Sequence, residues 1–188
     1  MKNNLTEMKC LDIYLSGLNK EEYNEIKPKV EISKVKTTPL VSWDIFMDDY
    51  YIRLIEAKKR MEIEQVLSFA KKFNWKNDLN LAFSENDYEA LIVTDKNQNI
   101  IWVNEGFTSM TGYSKKFAIN KTPKFLQGEE TSVKTKNRIQ EKIEQVNPFK
   151  EIIVNYKKDG TAYNCEVKII PLFNENTTHY LAFEKKIG

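Results

Sequence analysis

The pair Asp159-Gly160 stands between two stretches of strand character, Phe149 to Lys157 and Thr161 to Phe173. Asp-Gly supplies the positive φ that a tight hairpin turn needs, so it directs the two flanking runs to pair antiparallel. A further strand run follows the turn Asn174-Glu175-Asn176 and ends at Lys186. A second hairpin lies upstream, where Ala90 to Asp95 is closed by Lys96-Asn97-Gln98-Asn99 and answered by Ile100 to Asn104. Helical signals fill the space between: Glu105 to Met110 stopped by Gly112, a short turn begun by Ser114 and ended by Pro123, and Thr131 to Val146. In that last helix Ile139, Ile143 and Val146 share a face. The order ββ, short helices, βββ predicts an α+β fold, an antiparallel five-stranded sheet with its helices gathered on one face. Phe125-Leu126-Gln127-Gly128, with Pro123 just ahead, falls between the two strand blocks and is the expected wall of any pocket.

Residues 1–84 carry another pattern and are expected to form a mainly helical extension to a domain spanning 85–188. Cys10 to Leu15 suits a strand or a short helix, Asn19 caps a short helix ending before Pro28, and Val30, Ile32 and Val35 suit an edge strand. Neither Pro nor Gly interrupts residues 42–74, and Ser42 with Asp44 supplies a cap and a first-turn acid. Trp43, Met47, Tyr50, Leu54, Ala57 and Met61 recur at spacings of four and three, and Ile63, Val66, Leu67, Ala70 and Phe73 continue in another phase. One long amphipathic helix over about 42–74 is predicted, packed on the chain's own sheet, with dimerisation built on the same region.

Charge argues against a nucleic-acid partner: 29 basic and 27 acidic residues leave a net +2, and Lys and Glu are interleaved almost throughout. Cys10 and Cys165 have neither metal spacing nor a nearby partner and read as reduced thiols. MKNNLTEMKC lacks the apolar core of a signal peptide, and no run approaches transmembrane length, so a cytoplasmic protein with no membrane partner is expected. Catalysis is not expected. The single histidine, His179, falls beside a turn and reads as exposed, no Gly-rich phosphate loop is present, and no metal-ligand spacing occurs.

The stretches ALIVTDKNQNIIWVNEGFTSMTGYSKK, KFLQGEETS, NYKKDGTAYNCEVKIIPL and HYLAFEKK resemble a PAS domain, and within that family most resemble the flavin-binding LOV branch. The resemblance runs from about Tyr88 to Lys186, with the motifs in the family's order and spacing. It implies a small-molecule pocket between helices and sheet, and output through a homodimer or a separate signalling protein. LOV photochemistry needs a cysteine three residues before Leu-Gln-Gly. The matching residue here is Pro123, which has no thiol for an adduct, and the Asn before that cysteine is Thr122. Gln127 and Asn155 match flavin-contacting amides. Lys124 stands where an Arg grips the phosphate, and Gln140 where a second would. Cys165 replaces an Asn at the ring edge, and Glu184 replaces a Gln on the final strand. One guanidinium lost and the other reduced to an ammonium weaken charge-assisted pairing with a phosphate. FMN or FAD is therefore the disfavoured occupant, kept as the alternative in a non-photochemical form, and the ligand's identity stays open. The expected pocket set is Thr94, Asn104, Thr122, Lys124, Phe125, Leu126, Gln127, Gln140, Asn155, Tyr163, Cys165, Val167 and Glu184. A third reading leaves the pocket filled by side chains such as Phe107, Met110, Phe125 and Tyr163.

Strand parity assigns faces without any family. Tyr163, Cys165, Val167 and Ile169 share the pocket side of their strand, and Cys165 reads as a buried small hydrophobe. With the family's parity on the last strand, Tyr180, Ala182 and Glu184 face inward, and Leu181 and Phe183 face outward with Ile170 and Leu172. That outer strip is too apolar to stay wet, and the long helix is its expected cover. A carboxylate aimed at an apolar pocket needs a partner or a raised pKa, unless it sits solvated at the mouth. The resulting expectation is a sensory or protein–protein interaction module that transmits ligand or redox state by helix docking or self-association.

Overall fold

The computed structural model describes residues 15, 17–29 and 43–188, leaving aside the side chains of residues 29 and 43–49. The elements expected at residues 10–14 and 30–35, and the cap at Ser42, lie outside the described residues. The chain divides into two compact units, Met1–Arg53 and Leu54–Gly188.

In the first unit α1 (Lys20–Ile26) starts at Asn19, as its sequence predicts. Asn19 Oδ1 accepts the backbone N–H groups of Glu21 and Glu22 at 3.0 Å each, and Glu22 Oε2 accepts that of Asn19 at 3.1 Å. This reciprocal box satisfies donors the helix itself cannot. A 3-10 turn, Lys27–Lys29, follows. The long helix α2 spans Trp43–Phe73, close to the predicted 42–74.

In the second unit α3 (Leu79–Glu85) follows, capped by Asp78, whose Oδ1 accepts the N–H of Leu81 at 3.0 Å. Five strands then form one antiparallel sheet of order β2-β1-β5-β4-β3: β1 (Ala90–Asp95), β2 (Ile100–Val103), β3 (Phe149–Tyr156), β4 (Ala162–Phe173) and β5 (Thr177–Ile187). Between the hairpins lie α4 (Glu105–Thr111), α5 (Lys115–Ala118), a 3-10 turn (Pro123–Leu126) and α6 (Val133–Glu144). Gly112 ends α4 at φ 76°, a left-handed conformation that other side chains resist. The β1–β2 loop is shaped by Asp95, whose Oδ1 accepts the N–H groups of Asn97 and Asn99 at 2.8 Å each. Val146 is not on the α6 face. The helix stops at Glu144, and Val146 lies beyond it at φ 55°, exposed.

Each face of the sheet has its own core. On one side Ala90, Ile92, Ile153, Tyr163 and Cys165 pack with Phe107, Met110, Ala118 and Leu126 from the short helices. On the other, Leu91, Val93, Leu172, Leu181 and Phe183 are buried with Val66 of α2, Leu79 and Ala82 of α3, and Trp75. Leu67, Ala70 and Phe73 join this second core, so the latter half of the helical seam covers the outer strip as expected. Earlier in the second unit's part of the helix, Leu54 and Met61 are exposed instead. β1 is buried on both faces, which is why it reads as a continuous apolar run.

His179 is not an exposed turn residue. β5 begins at Thr177, and the parity that turns Leu181 and Phe183 toward α2 turns His179 the same way. It is 9% exposed, with its ring centroid 4.2 Å from that of Phe73, and its Nδ1 accepts from Trp75 Nε1 at 3.3 Å. Burial lowers its pKa, and Asp95, opposite it on β1, acts against that shift.

Two outcomes test this packing. Phe183→Ala should destabilise the domain by about 3–5 kcal/mol, seen as a lower urea midpoint. Removing residues 1–80 should uncover the strip and cause aggregation detectable by light scattering, whereas a monodisperse truncated domain would contradict the covering role.

Candidate functional site

The short helices do not close completely on the sheet. A cavity of about 580 Å³ remains between the inner face and α6, with the Pro123–Leu126 turn and the β1–β2 loop at its sides. That volume suits a drug-sized molecule. Its sheet side is built from alternating residues: Ile92 and Thr94 of β1, Ile153 and Asn155 of β3, Val167 and Ile169 of β4, and Tyr180, Ala182 and Glu184 of β5. Ile139 and Ile143 of α6 face them, so aliphatic surfaces lie on both sides of the slot.

The rim is held by local chemistry. Thr131 Oγ1 donates to the carbonyl of Val154 at 2.7 Å and accepts the N–H of Gly128 at 2.9 Å, and Tyr156 Oη accepts the N–H of Glu130 at 2.9 Å. A Cβ on Gly128 would come within 2.5 Å of the Tyr156 ring, so only glycine lets the loop lie flat there. These bonds fasten the loop to β3 and present Gln127 to the cavity. On α6, Arg138 and Lys142 each reach Glu151 of β3 at 2.6 Å. Lys142 first, then Arg138, holds the Glu151 carboxyl below the usual carboxylate range. Arg138 is thereby engaged outside the cavity, and the cations lining it are Lys124 and Lys136. Across the opening, Gln98 Nε2 donates to Gln140 Oε1 at 3.4 Å.

Glu184 is the buried ionisable group of the cavity, only 4% exposed, and its Oε2 finds no partner among the described residues. It is therefore not solvated at the mouth. Burial pushes its pKa up to about 7, with the Cys165 thiol acting the other way by hydrogen bonding. The Tyr163 hydroxyl and the Cys165 thiol are themselves pushed up, by burial first and by Glu184 second, and both stay protonated at neutral pH.

Of the candidates from sequence, Thr94, Thr122, Lys124, Gln127, Gln140, Asn155, Val167 and Glu184 meet at the cavity. Asn104, Phe125, Leu126, Tyr163 and Cys165 do not line it. Asn104 is the cap of α4, its Oδ1 accepting the N–H groups of Leu91 and Phe107 at 2.9 Å each. Its Nδ2 donates to the Glu89 carbonyl at 3.2 Å and to Glu62 Oε2 of α2 at 3.1 Å. Phe125 packs edge-on against Tyr113 and Phe117, while Leu126, Tyr163 and Cys165 belong to the inner core. Lys136 and Ile153 also line the cavity and were absent from that set. Lys136 lies one turn before Ile139 and Gln140, and Ile153 two residues before Asn155, so periodicity could have found both. Asn97 and Gln98 sit in a loop and left no such signal. Among the described residues no cluster of His, Cys, Asp and Glu could hold a metal ion, and no helix is long and apolar enough to cross a membrane.

A five-stranded antiparallel sheet that holds a chamber beneath short helices is the architecture of the PAS class of domains, found in sensory proteins. The chain belongs to the PAS domain family, whose model matches residues 89–185, and within it the chain is LOV-like. It is 37% identical over 93 residues to a blue-light photoreceptor of Listeria innocua, covering 48% of this chain and 37% of that protein. It is 30% identical over 101 residues to a nitrogen fixation regulatory protein of Klebsiella oxytoca, covering 53% of this chain and 20% of that one. The chain thus spans well under half the length of these curated relatives. Among solved structures, the LOV domain of a blue-light-activated histidine kinase from Erythrobacter litoralis matches with 27% identity and a TM-score of 0.51, over 55% of this chain and 99% of that one.

The raised pKa of Glu184 has a measurable sign. Between its ordinary value of 4.5 and about 7 the folded state holds a proton that the unfolded state has released. The stabilisation is therefore complete below the ordinary value and is lost as pH rises through the folded one, a difference of about 3 kcal/mol. Urea midpoints of the wild type should fall across that window relative to those of Glu184→Gln. Parallel pH profiles for the two proteins would contradict the burial of an unpaired carboxyl.

Proposed function

We propose that this chain is a cytoplasmic, non-catalytic sensory module that binds a small molecule in the cup and reports occupancy through helix docking or self-association. One observation carries this reading, the division of labour along β5. Tyr180, Ala182 and Glu184 line the cavity, while His179, Leu181 and Phe183 lie under α2 and its following loop. A ligand that shifts β5 by even a fraction of an ångström acts on both faces of the same strand, and only its differential affinity for two arrangements is needed to move the equilibrium. The exposed apolar residues of α2 from Leu54 onward, among them Ile55 and Met61, support an output by pairing with a second copy or a separate signalling protein.

A second reading, a flavin held without photochemistry, is favoured by Asn155 and Gln127, whose amides face the cavity in a LOV-like frame. Among the described residues none that lines the cavity carries sulfur, since Pro123 stands at the turn and Cys165 is buried in the core, so this reading is of a flavin without a cysteinyl adduct. Lys124 and Lys136 would meet the phosphate and Asn155 with Gln127 the ring edge.

The test compares protein as purified with protein stripped of small molecules by unfolding, dialysis and refolding. Native mass spectrometry should show a mass lost on stripping, and amide hydrogen exchange should rise over residues 54–73. A yellow colour that leaves with the lost mass selects the flavin. Equal masses with unchanged exchange would overturn the sensory reading.

A further inference from the structure

We infer that the cup's ligand is a planar amino-heterocycle, its inner edge donating N–H groups to Glu184 and its outer end carrying an anion beside Lys124 and Lys136. This rests on the sensory reading and names the ligand class of the same site. Flatness follows from the walls, because Ile139 and Ile143 on α6 oppose Ile153 and Val167 on the sheet. A slot with aliphatic faces on both sides takes a ring with apolar faces and polar edges.

The edge chemistry follows from Glu184. Its Oε2 is buried and unpartnered among the described residues, and no cation stands beside it. The groups around it are Asn155 on β3, Tyr163 and Cys165 on β4, and Glu89 just before β1, while Lys124 and Lys136 lie on the helical side of the cavity. None of these neutralises a carboxylate at the inner end. A ligand that brings its own N–H donors does so, forming charge-assisted hydrogen bonds roughly twice as strong as neutral ones. A ligand edge made only of carbonyl and ring-nitrogen acceptors would have to keep Glu184 protonated and would gain no charge-assisted bond from it. The mouth has the opposite character: Lys124 is exposed and Lys136 half-buried, and both stand in the lining. A ligand with donors at one end and an anion at the other is neutralised at both.

The probes are guanosine 5′-monophosphate and adenosine 5′-monophosphate, which pair amino-bearing rings with a phosphate, titrated calorimetrically into the full chain after stripping. At least one should bind. Glu184→Gln, which keeps shape but removes the charge, should weaken it roughly tenfold or more. The double variant Lys124→Ala with Lys136→Ala should weaken it several-fold and flatten its salt dependence. Circular dichroism establishes that each variant is folded. Failure of both nucleotides to bind, or binding unchanged in Glu184→Gln, overturns the inference. If the native mass measurement still shows a bound molecule, the sensory reading stands and only the ligand class falls. If it shows none, both fall.

Discussion

The two-sidedness of β5 governs the second unit, because a strand has only two faces and this one lines the cavity with one and packs under α2 with the other. In register with β4 and β1, Glu184 lies opposite Val167 and Ala90, while Phe183 lies opposite Lys168 and Leu91. A slip by one residue would drive Phe183 into the chamber and the carboxyl under α2. Burying Leu181 and Phe183 contributes about 1.5–3 kcal/mol each, which offsets the unfavourable burial of the acid on the adjacent position. The domain therefore tolerates a destabilised carboxyl in its cavity because the opposite face of the same strand fixes the register.

The helix on that opposite face is joined to the domain by contacts of unequal weight. Lys59 and Lys185 flank Asp87 at 3.6 Å and 2.8 Å, but these side chains are largely exposed, and such pairs contribute little in water. The bond from Asn104 to Glu62 differs in kind, because Asn104 is buried and the same amide caps α4 and holds β1. Loss of the α2 contact leaves a buried N–H one acceptor short, next to the helix that covers the inner core.

Much of the fold was legible because its signals are local. Asp159-Gly160, the Asn19 box and the Gly112 stop each depend on a few neighbouring residues, and all appear where the chain predicts them. His179 reads as exposed because it falls near the Asn174–Asn176 turn, yet it is the third residue of β5, and the parity it shares with Leu181 and Phe183 buries the ring. The site was legible only in part, since parity reports which face a residue is on and not how far along the sheet the helices leave a gap. Tyr163 and Cys165 share a face with Val167, yet the first two join the core that includes Phe107, Met110 and Ala118 of the short helices, while the third lies beside open space. Asn104 shows the other ambiguity: a polar residue beside a predicted pocket can be there to complete a helix.

The flat contact between Gly128 and the Tyr156 ring sets how firmly one side of the chamber is held. With Thr131 and Glu130 bonded to the same strand, that side of the chamber is fastened directly to β3. The opposite seam, between the Asn97–Gln98 loop and α6, is bridged by an exposed amide contact of 3.4 Å from Gln98 to Gln140. Of the two sides, that seam is the more weakly fastened, and Gln140, which carries no charge there, holds it only through that long bond.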